Sequence, residues 1–137
     1  MYLGCTLLEA GRTLLPAVDR RRQGGQPDLC VLDEGRRIWI EAIAPGEGAP
    51  GPDQIVRPTP MNEGGGLVAA PIRQAQLRMS GAFWTKAQKI ARYIEQGVIA
   101  PEDTRIVAIS ASRFGVYVAE QPLPLIMTTL LDRKSVV

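Results

Sequence analysis

Residues 27–44, PDLCVLDEGRRIWIEAIA, decide the fold of this 137-residue chain. The first part of this stretch, residues 27–33, is an aliphatic run that is typical of a buried strand. Glu34 and Gly35 then form a pair that favours a tight turn. Residues 36–44 alternate between two faces of a second strand, with Trp39 and Glu41 on the same face. The stretch therefore predicts a β-hairpin.

Two carboxylates lie within this hairpin. Asp28 is at the head of the first strand, and Glu41 lies inside the second among aliphatic and aromatic neighbours. A glutamate inside an apolar strand is costly to bury unless it is paired or binds a metal ion. Carboxylates that converge from adjacent strands are hard oxygen ligands for Mg²⁺ or Mn²⁺. We therefore predict that Asp28 and Glu41 are metal ligands.

The segments around the hairpin predict helices and one more strand. Apolar residues spaced by three and four indicate a helix over residues 2–16, stopped near Pro16. A second, long helix is expected over residues 72–96. Its core stripe consists of Met79, Phe83, Ala87, Ile90 and Ile94. Residues 105–110 read as a strand of the buried, parallel-sheet kind. This order predicts an α/β fold with a small mixed sheet.

Other parts of the chain carry weaker patterns. Residues 45–71 form a long linker rich in proline and glycine, either functional or a plain flexible spacer. A weak strand is expected at residues 115–119, and residues 123–131 are apolar enough for another helix or strand. Trp39 and Trp84 are both expected in the core.

Composition narrows the classes of function. Hydrophobic residues make up 45% of the chain and charged residues 22%, which is typical of one globular domain. The most apolar run, residues 123–131, is far shorter than the roughly 20 residues that a membrane-spanning helix needs. A net charge of +2 neither demands nor excludes a nucleic acid as partner.

Histidine is absent, which excludes Ser-His-Asp catalysis and histidine-ligated zinc or haem. The two cysteines, Cys5 and Cys30, cannot form a structural zinc site alone, and we expect both to be buried thiols. Because no signal peptide is visible, a reducing cytoplasm is the expected location.

The pattern Pro27-Asp28, a hairpin, and then Glu41-Ala42-Ile43 resembles the signature of the PD-(D/E)XK nuclease superfamily. Residues 37–45, 74–86, 93–99 and 106–110 further look like a group of uncharacterised bacterial proteins of this nuclease-like fold. The similarity runs from about Pro27 to Ser112. It implies a restriction-endonuclease-like core of helix, hairpin, helix and strand. It also implies a Mg²⁺- or Mn²⁺-dependent phosphodiester hydrolase that acts on nucleic acid.

The third position of the signature departs from the family pattern, because Ile43 stands where the family has lysine. Some members of the superfamily supply this lysine from the following helix, and Lys86 is the candidate here. On the helical wheel Lys86 borders the core stripe, whereas Lys89 and Arg92 point to the polar side. The Lys86 ammonium would then orient the attacking water or stabilise the charge of the transition state. The alternative is a boundary lysine whose stem covers the core.

Three functions stay open from the sequence. The first is the metal-dependent nuclease with Asp28, Glu41 and Lys86 as its site. The second is a catalytically degenerate nuclease fold that acts as a binding or interaction module, as Ile43 and the modest charge favour. The third is an α/β protein unrelated to nucleases, in which Glu41 pairs with Arg78; in the nuclease, Arg78 is a candidate phosphate contact.

Both ends of the chain have unusual features. No capping residue precedes the first helix, so Met1 is a candidate internal start. Residues 132–137 resemble the translation of a common sequencing adaptor. We therefore expect one domain over residues 1–131, C-terminally incomplete, followed by an artefactual tail.

Overall fold

The computed structural model describes residues 2–20, 25–55 and 71–114. Their helices are α1 (Tyr2–Glu9), α2 (Ala17–Arg20) and α3 (Ile72–Glu95), and a 3₁₀ turn covers Ser112–Phe114. Their strands are β1 (Thr13–Leu14), β2 (Leu29–Asp33), β3 (Arg36–Ile43) and β4 (Thr104–Ile109). The strand expected at residues 115–119, the apolar run 123–131 and the tail 132–137 lie outside the described residues.

The strands form one sheet in the order β1-β2-β3-β4. β2 and β3 pair antiparallel with Val31 opposite Ile38, which confirms the predicted hairpin. Glu34 and Gly35 both have positive φ angles, of 48° and 80°, as a two-residue hairpin turn requires. The expected α/β class with a small mixed sheet is confirmed, while the restriction-endonuclease-like core stays a prediction.

The first helix is shorter than expected, and the prediction of a helix to residue 16 is wrong. α1 ends at Glu9 because Gly11 takes a left-handed φ of 72°. The amide of Arg12 then donates to the carbonyl of Leu7 at 2.9 Å, which closes the helix. Beyond this turn β1 pairs antiparallel with β2. Hydrogen bonds to a distant strand thus outweigh the local helical spacing.

The long helix follows its prediction closely. α3 covers Ile72–Glu95, against 72–96 expected from the sequence. It ends at Gly97, whose φ of 67° allows the amide of Val98 to donate to the carbonyl of Tyr93 at 2.8 Å. No helix within the described ranges combines the length and the apolar character needed to cross a bilayer.

The chain falls into two compact units, and α3 contributes residues to both. The first unit comprises residues 1–43 and 84–108. Its buried core consists of Cys30, Trp39, Ile90, Tyr93, Val98 and Ile99. The second unit comprises residues 44–83 and 109–137. Its buried core, within the described residues, consists of Ile55, Ala75, Met79 and Phe114.

Three expectations about buried residues are wrong. β4 is not the buried strand expected over residues 105–110, because none of its residues is buried and Ile106 is 42% exposed. Trp39 is buried as predicted, but Trp84 is 64% exposed. Trp84 lies five positions after the buried Met79, which places it well away from the side of the helix on which Met79 lies. Cys30 is buried, but Cys5 is exposed. The neighbouring Gly4 faces Leu29 instead, so Cys5 points about 100° away from the sheet.

Candidate active site

Asp28 connects the head of β2 to the end of β3. One of its carboxylate oxygens, Oδ2, accepts a hydrogen bond from the backbone amide of Ala42 at 2.8 Å. The same oxygen accepts a hydrogen bond from the ammonium of Lys86 at 2.9 Å. The Asp28 carboxylate is therefore fixed by a strand amide and by a helix-borne cation.

Glu41 is completely buried in β3 and meets two lysines. Its Oε2 lies 2.5 Å from the Nζ of Lys86 and 3.3 Å from the Nζ of Lys89. Its Oε1 lies 3.2 Å from the Nζ of Lys89, close enough for an ion pair. This buried oxygen accepts no hydrogen bond, so its pairing with Lys89 is electrostatic only.

The structure brings together the three residues that the sequence singled out. Lys86 Nζ lies 2.9 Å from Asp28 Oδ2 and 2.5 Å from Glu41 Oε2. One ammonium thus bridges the two carboxylates and holds these oxygens close together. The Lys86 side chain is only 12% exposed. All three residues belong to the first unit. Lys86 thus reaches the carboxylates from α3, whereas Ile43 of β3 carries no charge.

Lys89 is the site residue that sequence reasoning missed. The helical wheel predicted that Lys89 points to the polar side, and the ion pair with Glu41 shows that this is wrong. Residues three apart share a helix face, and helical side chains lean toward the N-terminus, so Lys89 reaches back to Glu41. Its ammonium also lies 5.6 Å from the centre of the Tyr93 ring, a cation–π distance. The buried acid itself was a signal for this second cation.

Three pKa values reflect this arrangement. Burial alone would raise the pKa of Asp28, but the hydrogen bonds from Ala42 and Lys86 and the charges of the two lysines outweigh it and lower that pKa. Burial alone would lower the pKa of Lys86, but its bonds to Glu41 and Asp28 outweigh it and raise that pKa. Burial also opposes the shift at Lys89, whose pKa is raised by Tyr93 and Glu41.

These shifts predict how stability depends on pH. Because the pKa of Asp28 is lower in the folded protein, its stabilising contribution is present above its ordinary pKa of about 3.9 and is lost as pH falls through the folded value. Because the pKa of Lys86 is raised, its contribution is present below about pH 10.4 and is lost as pH rises through the folded value.

Urea unfolding measured between about pH 2 and pH 7 tests the acid side of this prediction. The free energy of unfolding of Asp28→Asn should fall less steeply below about pH 4 than that of the wild type. Parallel curves for the two proteins would contradict the lowered pKa of Asp28.

Arg78 belongs to the second unit, where its guanidinium lies against Gly48. A Cβ at Gly48, whose φ is 97°, would overlap this guanidinium, so glycine makes room for it. The ion-pair partners of Glu41 among the described residues are Lys86 and Lys89. The predicted pairing of Arg78 with Glu41 is therefore wrong, and the α/β fold unrelated to nucleases in that alternative stays a prediction. A role for Arg78 as a phosphate contact stays a prediction.

The chemistry of the two carboxylates fits a divalent cation. Mg²⁺ is commonly bound through one or two protein carboxylates, with water and substrate phosphate completing its ligands. Asp28 and Glu41 supply that number, and Glu41 Oε1 is a buried oxygen without a hydrogen-bond donor. No group of three or more acids or cysteines suited to a metal ion occurs in the described part of the chain.

Two further contacts hold the site elements in place. The hydroxyl of Tyr93 on α3 donates to the carbonyl of Gln26 at 2.9 Å, just before Pro27 and Asp28. The indole nitrogen of Trp39 on β3 donates to Asp103 Oδ2 at 2.8 Å. Both bonds join residues more than 60 positions apart in sequence, so spacing alone could not reveal them.

No protein-family model, curated protein or solved structure matches this chain. The relation to the PD-(D/E)XK superfamily stays a prediction from the sequence pattern. The geometry of Asp28, Glu41, Lys86 and Lys89 is independent of that relation.

Proposed function

We propose that this protein is a metal-dependent phosphodiester hydrolase of the nuclease type, with Asp28, Glu41 and Lys86 as its active site. One observation carries the proposal: the Lys86 ammonium lies 2.9 Å from Asp28 and 2.5 Å from Glu41. A helix-borne cation thus stands at the two carboxylates of the Pro-Asp and Glu pattern, where β3 itself supplies only Ile43. The proposed substrate is a nucleic acid.

Asp28 and Glu41 would hold Mg²⁺ or Mn²⁺ through their carboxylate oxygens. When bound, such an ion would stabilise negative charge on a phosphoryl oxygen and lower the pKa of a coordinated water. The lowered pKa of Asp28 keeps this carboxylate ionised at neutral pH, as a metal ligand requires.

Lys86 would act through its charge. Its raised pKa keeps the ammonium protonated at neutral pH, so it is unsuited to removing a proton from water. A fixed ammonium in a partly buried site stabilises the negative charge that develops on the phosphate in the transition state. Lys89 holds the other oxygen of Glu41 and so positions that carboxylate.

A second function is favoured by the charge balance of the same residues. The two carboxylates and the two ammonium groups cancel, so the cluster is neutral without any added ion. Such a network can serve the fold alone. This supports a catalytically degenerate nuclease fold that acts as a binding or interaction module.

A cleavage assay separates these functions. End-labelled DNA and RNA strands, single and duplex, are incubated with the protein in Mg²⁺ or Mn²⁺. We expect cleavage by the wild type and a loss of about 100-fold or more in Asp28→Asn, since a carboxylate that holds the ion is removed.

Asp33→Asn is the matched control for this assay. Asp33 ends the same strand and has a similarly exposed side chain, 50% against 41% for Asp28, but its ion pair is with Arg12. The Asp33→Asn variant should cleave nucleic acid as fast as the wild type does. Equal rates for Asp28→Asn and the wild type would contradict the nuclease proposal, and binding of nucleic acid without cleavage would support the module.

A further inference from the structure

A small pocket lies along the C-terminal half of α3, in the same unit as the carboxylates. Lys89, Arg92, Tyr93 and Gln96 line it, and its volume is about 140 Å³. These four residues have the spacing of one helix face. The pocket is large enough for a single compact group and too small for a nucleotide.

The lining is rich in hydrogen-bond donors and carries positive charge. It combines an ammonium, a guanidinium and a side-chain amide, and no carboxylate lines the pocket. Among the described residues, the side chains of Arg92 and Gln96 make no hydrogen bond or ion pair. Unpaired donors of this kind fit an anion with several acceptor oxygens. The negative end of the α3 dipole opposes an anion only weakly, because that effect is small against direct contact with the Arg92 guanidinium.

The pocket adjoins the carboxylate site through shared residues. Lys89 lines the pocket and lies 3.2 Å from Glu41. Tyr93 also lines it and donates to the carbonyl of Gln26, two residues before Asp28. A group in the pocket would therefore lie next to a phosphate held at Asp28, Glu41 and Lys86.

We propose that this pocket binds a second phosphate of the substrate, adjacent to the one that is hydrolysed. This inference rests on the proposed function and names its substrate class: a polynucleotide strand with consecutive phosphates. Arg92 offers a planar fork of donors that matches phosphate oxygens, and Lys89, which also pairs with Glu41, adds a further N–H donor. Successive phosphates along a strand would occupy the carboxylate site and the pocket together.

Binding of a single-stranded oligonucleotide tests the pocket without cleavage. Fluorescence anisotropy is measured in EDTA at several salt concentrations. Arg92→Ala should weaken binding about five- to tenfold and reduce the salt slope by about 0.7, the value for one single-strand phosphate contact. Gln96→Ala should weaken binding about two- to threefold, since a neutral donor is lost.

Arg73→Ala is the matched control, because Arg73 is an exposed arginine of the same helix and its loss changes the net charge equally. It should bind as the wild type does. Equal weakening by Arg73→Ala and Arg92→Ala, or no binding by the wild type, would overturn the pocket proposal.

The same variants distinguish failure of the pocket from failure of the hydrolase. Arg92-dependent binding by a wild type that cleaves nothing would contradict the hydrolase and support the pocket as a nucleic-acid contact. Cleavage by the wild type with an unchanged KM in Arg92→Ala would overturn the pocket and leave the hydrolase standing.

Discussion

Replacing Lys86 by methionine is expected to lower the free energy of unfolding by about 3 kcal/mol. Glu41 is completely buried, and the variant removes the cation closest to its carboxylate. A buried charge that loses its partner keeps its full desolvation penalty, whereas the methionine stem retains most of the packing. The loss lies near the low end for buried pairs because Lys89 still lies 3.2 Å from Glu41.

Urea unfolding of three variants checks this prediction. Lys89→Met should cost only about 1 kcal/mol, because its side chain is 37% exposed and water compensates for part of the lost pair. The double variant Glu41→Met/Lys86→Met should recover most of the stability, since no fully buried charge is left unpaired. Asp28 and Lys89 lose these partners, but both side chains are partly exposed to water. A Lys86→Met protein as stable as the wild type would contradict the buried ion pair.

Replacing Trp39 by alanine is expected to have the second large effect, a loss of about 4 kcal/mol. The indole is buried in the core of the first unit, among Cys30, Ile90 and Tyr93. The substitution removes this ring and leaves a cavity that β3 and α3 can fill only in part. It also leaves Asp103 without the indole donor at 2.8 Å.

Trp39→Phe separates packing from hydrogen bonding at this position. It keeps an aromatic ring and removes the donor, so we expect a loss of about 1 to 2 kcal/mol. Asp103 Oδ2 still accepts the amide of Ala100 at 3.1 Å, which limits the effect. Equal losses for Trp39→Phe and Trp39→Ala, measured by urea unfolding, would contradict the core position of the ring.

The elements that the sequence predicts well are those whose signals are local. The hairpin depends on alternation and a Glu34-Gly35 turn within residues 29–43, and α3 depends on continuous helical spacing up to Gly97. β1 was missed because two residues, Thr13 and Leu14, are strand only through their pairing with β2. Such pairing outweighs local propensity and is invisible in spacing.

The candidate site was predictable to a similar extent. The apolar surroundings of Glu41 indicated a buried acid, and a buried acid requires a cation or a metal. Lys86 followed from the family resemblance, in which the following helix can supply the lysine, together with its position at the border of the core stripe. Lys89 did not, because a helical wheel places Cα atoms, whereas a four-carbon side chain carries its ammonium well away from that angle. The pocket on α3 was not predictable for the same reason, because long side chains such as those of Lys89 and Arg92 form its lining.

Calorimetric titration with Mn²⁺ tests whether Asp28 and Glu41 form one divalent-cation site. We expect about one Mn²⁺ to bind per chain, with binding lost in both Asp28→Asn and Glu41→Gln and retained in Asp33→Asn. Unfolding curves of the same samples establish that each variant is folded. A folded wild type that binds no Mn²⁺, or equal binding by the wild type and all three variants, would contradict a cation site at Asp28 and Glu41.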